Sequence, residues 1–416
     1  MTSTSTSDRS SRSSAPLVVL FLRGGMDGLS LLRPTGDSEL DRLRGPLAVA
    51  ADSTVDVGDG FGLHPSMART AARFTDGGVA FVPACGLPGA SRSHFDAQFA
   101  VEHADDPSSR APTEGPSGWL GRHLAATAGS AVAPFRGVSL GQPQVPAILA
   151  GSPDVVAARA IPDLALGPAM PARRGRRGDR RGRPDAATTA AAAVSIETLR
   201  SLWLDDTGPL GPSAAAAFDV LEKVTDLSPR ADAAAPPRSE EDREKTGNGA
   251  EGEPGADERG ASADPGVAEL VELFGSDLGT EVAVLNLGGW DDHNDLGATD
   301  GAFATRAAAL DATIDALITG IPDVTVLAVS EFGRRVATND SGGCDHGRGG
   351  VALVAGTRVR GGIHGDWPGL ADLDDGDVRT ANDVRGVFAE VVDSVLGGDP
   401  ERIVPGAPGD RLSLFR

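Results

Sequence analysis

The sequence predicts an α/β protein: a three-layer sandwich in which helices cover both faces of a mostly parallel central sheet. Two observations carry this expectation. Several short runs are apolar on both faces and end in glycine-rich loops, as strands of a doubly covered sheet do. Stretches with helical spacing of apolar residues lie between some of those runs.

The first run is LVVLFL at 17–22, and GVAFVPA (78–84), EVAVLNL (281–287), VTVLAVS (324–330) and VALVAG (351–356) follow it. Residues 302–319 place Ala, Leu and Ile at helical spacing, and 380–396 do the same. Thr380 and Asp383 there form a variant capping box with Asp in place of Glu. A polar Ser/Thr/Arg tail at 1–16 precedes one domain expected over 17–416. Two biased stretches interrupt it: 171–194 carries RRGRRGDRRGR and an alanine run, and 228–266 is rich in Pro, Gly, Ala, Glu and Asp. Both read as low-complexity insertions. The segment 195–224 between them has a helical pattern and reads as a cap.

Composition narrows the function. The net charge of −21 disfavours nucleic acid and anionic membrane as partners. It leaves room for a small anionic substrate, because a bound metal reverses the local field. No run reaches the roughly 20 apolar residues of a membrane span. LVVLFL ends in RGG without a small-residue cleavage site, so it reads as a buried strand and the expected location is cytoplasmic. With only Cys85 and Cys344, a disulfide framework is not expected.

Polar residues gather where the strands end, the edge at which open α/β sheets bind ligands. Asp27 follows the first run; Ser91, Ser93, His94 and Asp96 follow the second. Asp291, Asp292 and His293 follow the third, and Glu331 and Arg334 follow the fourth. Asp345 and His346, in GGCDHGRGG before VALVAG, are the strongest pair. His94 and Glu331 each have a structural reading as well as a site reading, His94 in the core and Glu331 paired with Arg334. His64, His103 and His123 lack acidic company and read as structural, while His364 is a further candidate ligand. Histidine with carboxylate oxygen is a ligand set for a divalent metal, Zn²⁺ or Mn²⁺. A serine beside it is a candidate nucleophile.

Seven motifs in order, LFLRGGMDGLS, FGLHP, GLPGASRSHFDAQ, GWLGR, GGWDDH, SEFGRR and DHGRGG, resemble the DUF1501 family over Leu17 to Leu396. The resemblance implies kinship with the alkaline phosphatase superfamily, which includes sulfatases, and so an alkaline phosphatase-like fold with metals at the strand ends. It further implies metal ligands at Asp27, Asp291, His293, Asp345 and His346, and a nucleophile at Ser93 or Ser91. Arg348 or Arg334 then steadies the oxyanion. The expected activity is metal-dependent hydrolysis of a phosphate or sulfate ester; the alternative is a noncatalytic binding or assembly protein on the same fold. Two departures stand out. Asp291 and His293 are separated by one residue where the superfamily has three, and Arg348 replaces a histidine common in relatives.

Overall fold

The computed structural model describes residues 14–105, 117–129, 133–164 and 262–416, with residues 223, 224 and 227. Contacts divide the chain into two compact units. The first (Met1–Ala128, Ala133–Ala157 and Glu251–Arg416) holds the sheet and the candidate site; the second (Gly129–Val132 and Ala158–Ala250) lies mostly outside the described residues. So do residues 171–194, most of 195–224 and most of 228–266. No helix among the described residues is long and apolar enough to cross a membrane.

In chain order the strands are β1 (Leu17–Leu22), β2 (Leu32–Pro34), β3 (Val55–Asp56), β4 (Phe61–Leu63), β5 (Val79–Gly86), β6 (Gly137–Leu140), β7 (Val155–Ala158), β8 (Val282–Leu287), β9 (Thr325–Val329), β10 (Gly350–Gly356), β11 (Gly362–Ile363) and β12 (Asn382–Asp383). The helices are α1 (Gly28–Leu31), α2 (Ser38–Arg44), α3 (Ala68–Thr75), α4 (His94–His103), α5 (Trp119–Ala126), α6 (Gly266–Gly275), α7 (Gly301–Gly320), α8 (Val384–Ser394) and α9 (Pro400–Ile403). The central sheet runs β11-β5-β10-β9-β1-β8-β6-β7, with β12 also on β5, and β2, β4 and β3 form a small second sheet.

The sheet is mostly parallel, and its strands are apolar on both faces because helices cover both sides. All six residues of β1 are buried. Leu17, Val19 and Phe21 join one cluster with Val101 of α4, Trp119 and Leu120 of α5, and Phe388 and Val391 of α8. Alternation sends Val18 and Leu20 to the other face, and both are also fully buried. Helix α7 contacts β9 and β10 as well as α3 and α6. It buries Phe303, Ala307, Leu310, Ile314 and Leu317, three or four residues apart.

β1 pairs in parallel with β8 and β9, Leu22 opposite Leu287 and Phe21 opposite Val329, so three strands end level and deliver their following loops to one edge. β10 departs from the parallel expectation. It is antiparallel to both β5 and β9, with Leu353 opposite both Phe81 and Ala328. An antiparallel strand begins where its neighbours end. The GGCDHG segment therefore reaches the same edge although it precedes its strand.

The predicted box at Thr380 is also corrected. Asp383 caps α8 by accepting from the Arg385 N–H, because Asn382 and Asp383 first pair with Cys85 and Gly86 of β5.

Candidate metal centre

The turn that carries Asp345 and His346 needs glycine on both sides. A Cβ on Gly343 would stand 2.3 Å from the carbonyl carbon of His293, and one on Gly347 would stand 2.4 Å from that of Arg334. Only bare backbone lets the 342–347 segment lie against both loops. Among the hydrogen bonds that fasten it are Cys344 N–H to the Asp292 carbonyl at 2.9 Å and Gly347 N–H to the Gly333 carbonyl at 2.8 Å.

Three atoms then converge. Asp291 Oδ1 lies 3.1 Å from His293 Nε2 and 3.2 Å from His346 Nε2, and the two nitrogens are 2.9 Å apart. His94 enters from the first residue of α4, with Nε2 3.5 Å from Asp291 Oδ2. His94, Asp291 and His346 each place a ligand atom within 4.8 Å of the others'.

The hydrogen bonds behind the rings decide what those nitrogens are. His94 Nδ1 faces Glu331 Oε1 at 2.9 Å, His293 Nδ1 faces Asp345 Oδ1 at 3.2 Å, and His346 Nδ1 faces the Arg92 carbonyl at 2.8 Å. Each partner is an acceptor, which suits a proton on each Nδ1 and would leave the Nε2 atoms, which point inward, free to act as ligands. The Nε2 of His94 is buried and has no hydrogen-bond partner. Two Nε2 atoms 2.9 Å apart are held together either by a proton on one of them or by a shared cation.

A metal fits this donor set. Neighbouring ligand atoms in a tetrahedral shell with bonds of about 2.0–2.1 Å stand about 3.3 Å apart, close to the observed triangle. Nδ1 bonds to carboxylate or carbonyl are the usual orientation of metal-binding histidine.

The electrostatics agree. Burial opposes ionisation of Asp291, but the Arg334 guanidinium, 2.6 Å away, outweighs it and holds the carboxyl below its ordinary value. Burial also opposes ionisation of Glu331, and hydrogen bonds from Gln98 and His94 outweigh it. His346 is pushed down by burial and by Arg334, so it favours the neutral form a metal requires. The Asn339 amide, with His293, holds Asp345 low.

The structure brings Asp291, His293 and His346 together. It sets Asp345 behind His293 rather than among the converging atoms. Asp27 stands apart. It caps α1 and is buried in a two-armed ion pair with Arg44, one arm at 2.9 Å, while Ser30 donates to it at 2.7 Å.

Ser93 is the half-buried N-cap of α4 and its hydroxyl makes no capping bond; Ser91 is exposed and accepts from the Ser93 N–H at 3.0 Å. Arg334 is buried and committed to Asp291 and to the carbonyls of Gly24, Gly25, Trp290 and Cys344. Arg348 pairs with Asp374 at 2.8 Å. His364 lies apart, its ring nitrogens at the carbonyls of Leu412 and Arg360.

Sequence reasoning left His94 divided between core and site, and Glu331 divided between a structural pair with Arg334 and a functional role. Glu331 instead faces His94. The available signal was the spacing of His94 and Gln98, one helical turn apart, both of which meet Glu331 Oε1.

No curated protein matches the chain. The family profile described as "Protein of unknown function (DUF1501)" matches residues 14–414, and the chain belongs to that family.

Proposed function

We propose that the chain is a metal-dependent hydrolase of phosphate or sulfate esters, with one divalent cation held by His94, Asp291, His293 and His346. The observation that carries this is the convergence of three imidazole Nε2 atoms on one carboxylate. Three imidazoles and a carboxylate favour Zn²⁺ or Mn²⁺ over the all-oxygen preference of Ca²⁺. A bound cation supplies Lewis-acid polarisation of an ester oxygen.

The remaining work falls to the chain. Ser93 is the nucleophile, with an uncommitted hydroxyl between Arg92, which fixes His346, and His94. Its place at the start of α4 favours developing negative charge. Glu331, Asp345 and the Arg92 carbonyl fix the three tautomers, and Arg334 orients Asp291. The substrate is a small anionic ester. Kinship with alkaline phosphatase-like enzymes belongs to this proposal.

A second reading, a noncatalytic binding or assembly protein, is favoured by the engagement of Asp27 with Arg44. The test measures metal content and turnover of aryl phosphate and aryl sulfate by the purified chain and its Ser93→Ala variant. The hydrolase reading expects about one equivalent of Zn or Mn. It also expects kcat to fall at least about a hundredfold in the variant, with metal retained. Turnover untouched by the substitution removes Ser93 from the mechanism. Bound metal with no turnover of either ester moves the assignment to the second reading.

A further inference from the structure

Three arginines gather beside the centre. Arg92 supplies the carbonyl that holds His346, the Arg335 N–H donates to the Asp345 carbonyl at 3.0 Å, and Arg348 follows His346 by two residues. One acidic turn, Asp374 to Asp377, holds all three guanidiniums. Arg92 reaches Asp377 through Nε at 2.8 Å and again through Nη2, and meets Asp375 at 3.0 Å. Arg335 meets Asp375 at 3.4 Å, with its Nε 3.8 Å from Asp377. Arg348 meets Asp374 at 2.8 Å, and its Nε lies 3.6 Å from Asp377 without a hydrogen bond.

The acids are unequal. The Asp377 side chain is 0% exposed, whereas those of Asp374 and Asp375 are 41% and 69% exposed. Asp375 also sits at φ 54°, a left-handed conformation that a residue with a side chain adopts at a cost. Ion pairs this open to solvent are weak. A tetrahedral oxyanion offers several acceptor oxygens and up to two charges at once, which suits several guanidinium forks.

We propose that Arg92, Arg335 and Arg348 form a subsite for a tetrahedral oxyanion. The exposed carboxylates of Asp374 and Asp375 occupy it until the ligand replaces them, and Asp377 stays as the anchor. Identifying that oxyanion with the phosphate or sulfate group of an ester rests on the hydrolase reading; the subsite rests on the arginines.

The test is calorimetric titration of the chelator-treated full chain with inorganic phosphate and, separately, with inorganic sulfate. In Asp374→Asn/Asp375→Asn, affinity for the preferred ion rises about tenfold; in Arg335→Gln/Arg348→Gln it falls by about the same factor. The preferred ion names the ester class. Affinity unchanged in the Asn variant overturns the proposal.

A second measurement uses the unaltered protein. The Asp374 and Asp377 N–H groups bond each other's carbonyls at 3.0 and 3.1 Å, and their exchange with solvent quickens about threefold or more at saturating anion if the turn is displaced. Exchange that ignores the anion overturns displacement even if the variants fail to fold. Heat of binding without metal is independent of turnover. A chain that binds the ion but cleaves no ester loses only the hydrolase reading. A chain that cleaves esters with anion affinity blind to Asp374 and Asp375 loses only this subsite.

Discussion

His293 Nε2 and His346 Nε2 face each other at 2.9 Å, while the Nδ1 of each ring faces an acceptor behind it. A cation held there as proposed would compete with protons for His346. Its affinity is therefore expected to fall as His346 protonates, and burial places His346 below the ordinary histidine range. Competition titration with a chelating dye at several pH values checks this. An affinity that stays flat from neutral pH down to the acid limit of the folded chain contradicts it.

Asp345 separates two roles. As a direct ligand its loss removes binding. As the partner of His293 Nδ1 its loss only frees a ring to turn. The geometry gives the second role, so Asp345→Ala weakens metal affinity by about 10- to 100-fold and keeps the one-to-one ratio. His346→Ala abolishes it. Equal loss in both variants returns Asp345 to the ligand set.

The buried pair of Asp27 and Arg44 makes a stability prediction. Burial opposes ionisation of Asp27, but Arg44 and then Ser30 outweigh it and hold the carboxyl below its ordinary value. A depressed carboxyl stabilises the fold above its unfolded pKa of about 3.9, and that contribution is lost as pH falls through the folded value. Arg44→Met strands the charge and costs about 3–5 kcal/mol at neutral pH. Acidification neutralises the stranded carboxylate, so the gap between variant and parent narrows. Urea midpoints at pH 7 and pH 4.5 read it, and a gap that widens with acid assigns the loss to packing instead.

His123 also costs stability in acid, from a different cause. It is buried in α5, neither ring nitrogen has a hydrogen bond, and burial pushes its pKa down to about 4. The unfolded chain takes up a proton near pH 6.5 that the folded chain refuses until about pH 4. Stability therefore declines as pH falls through that window, by up to about 1.4 kcal/mol per pH unit from this group. His123→Leu shows a correspondingly shallower decline between pH 6.5 and 4. Parallel curves exclude the residue as the source.

The fold was legible where burial is two-sided. LVVLFL and EVAVLNL have no polar face to confuse their reading, and the residues at 301–320 keep helical spacing for five turns. Strand direction was not legible, because VALVAG has the same apolar pattern whether it runs with its neighbours or against them. Nor does a carboxylate's partner show in sequence. Asp27 is 17 residues from Arg44, and Glu331 is 237 from His94. Both pairings depend on how loops fold over the sheet edge. His293 and Asp345 were visible as candidates, but which one faces inward depends on the tilt of a ring.

The sheet order also sets a schedule. β5 is made early, yet each strand it pairs with (β10, β11 and β12) is made more than 250 residues later. A growing chain thus carries β5 with open edges, an invitation to mispairing, until β10 slides between it and β9. His94 hangs from the loop after β5, and His346 arrives with β10. The candidate donor set is completed only when the turn before β10 has been made, long after β5 and His94, and a chain ending before residue 346 lacks one of its members.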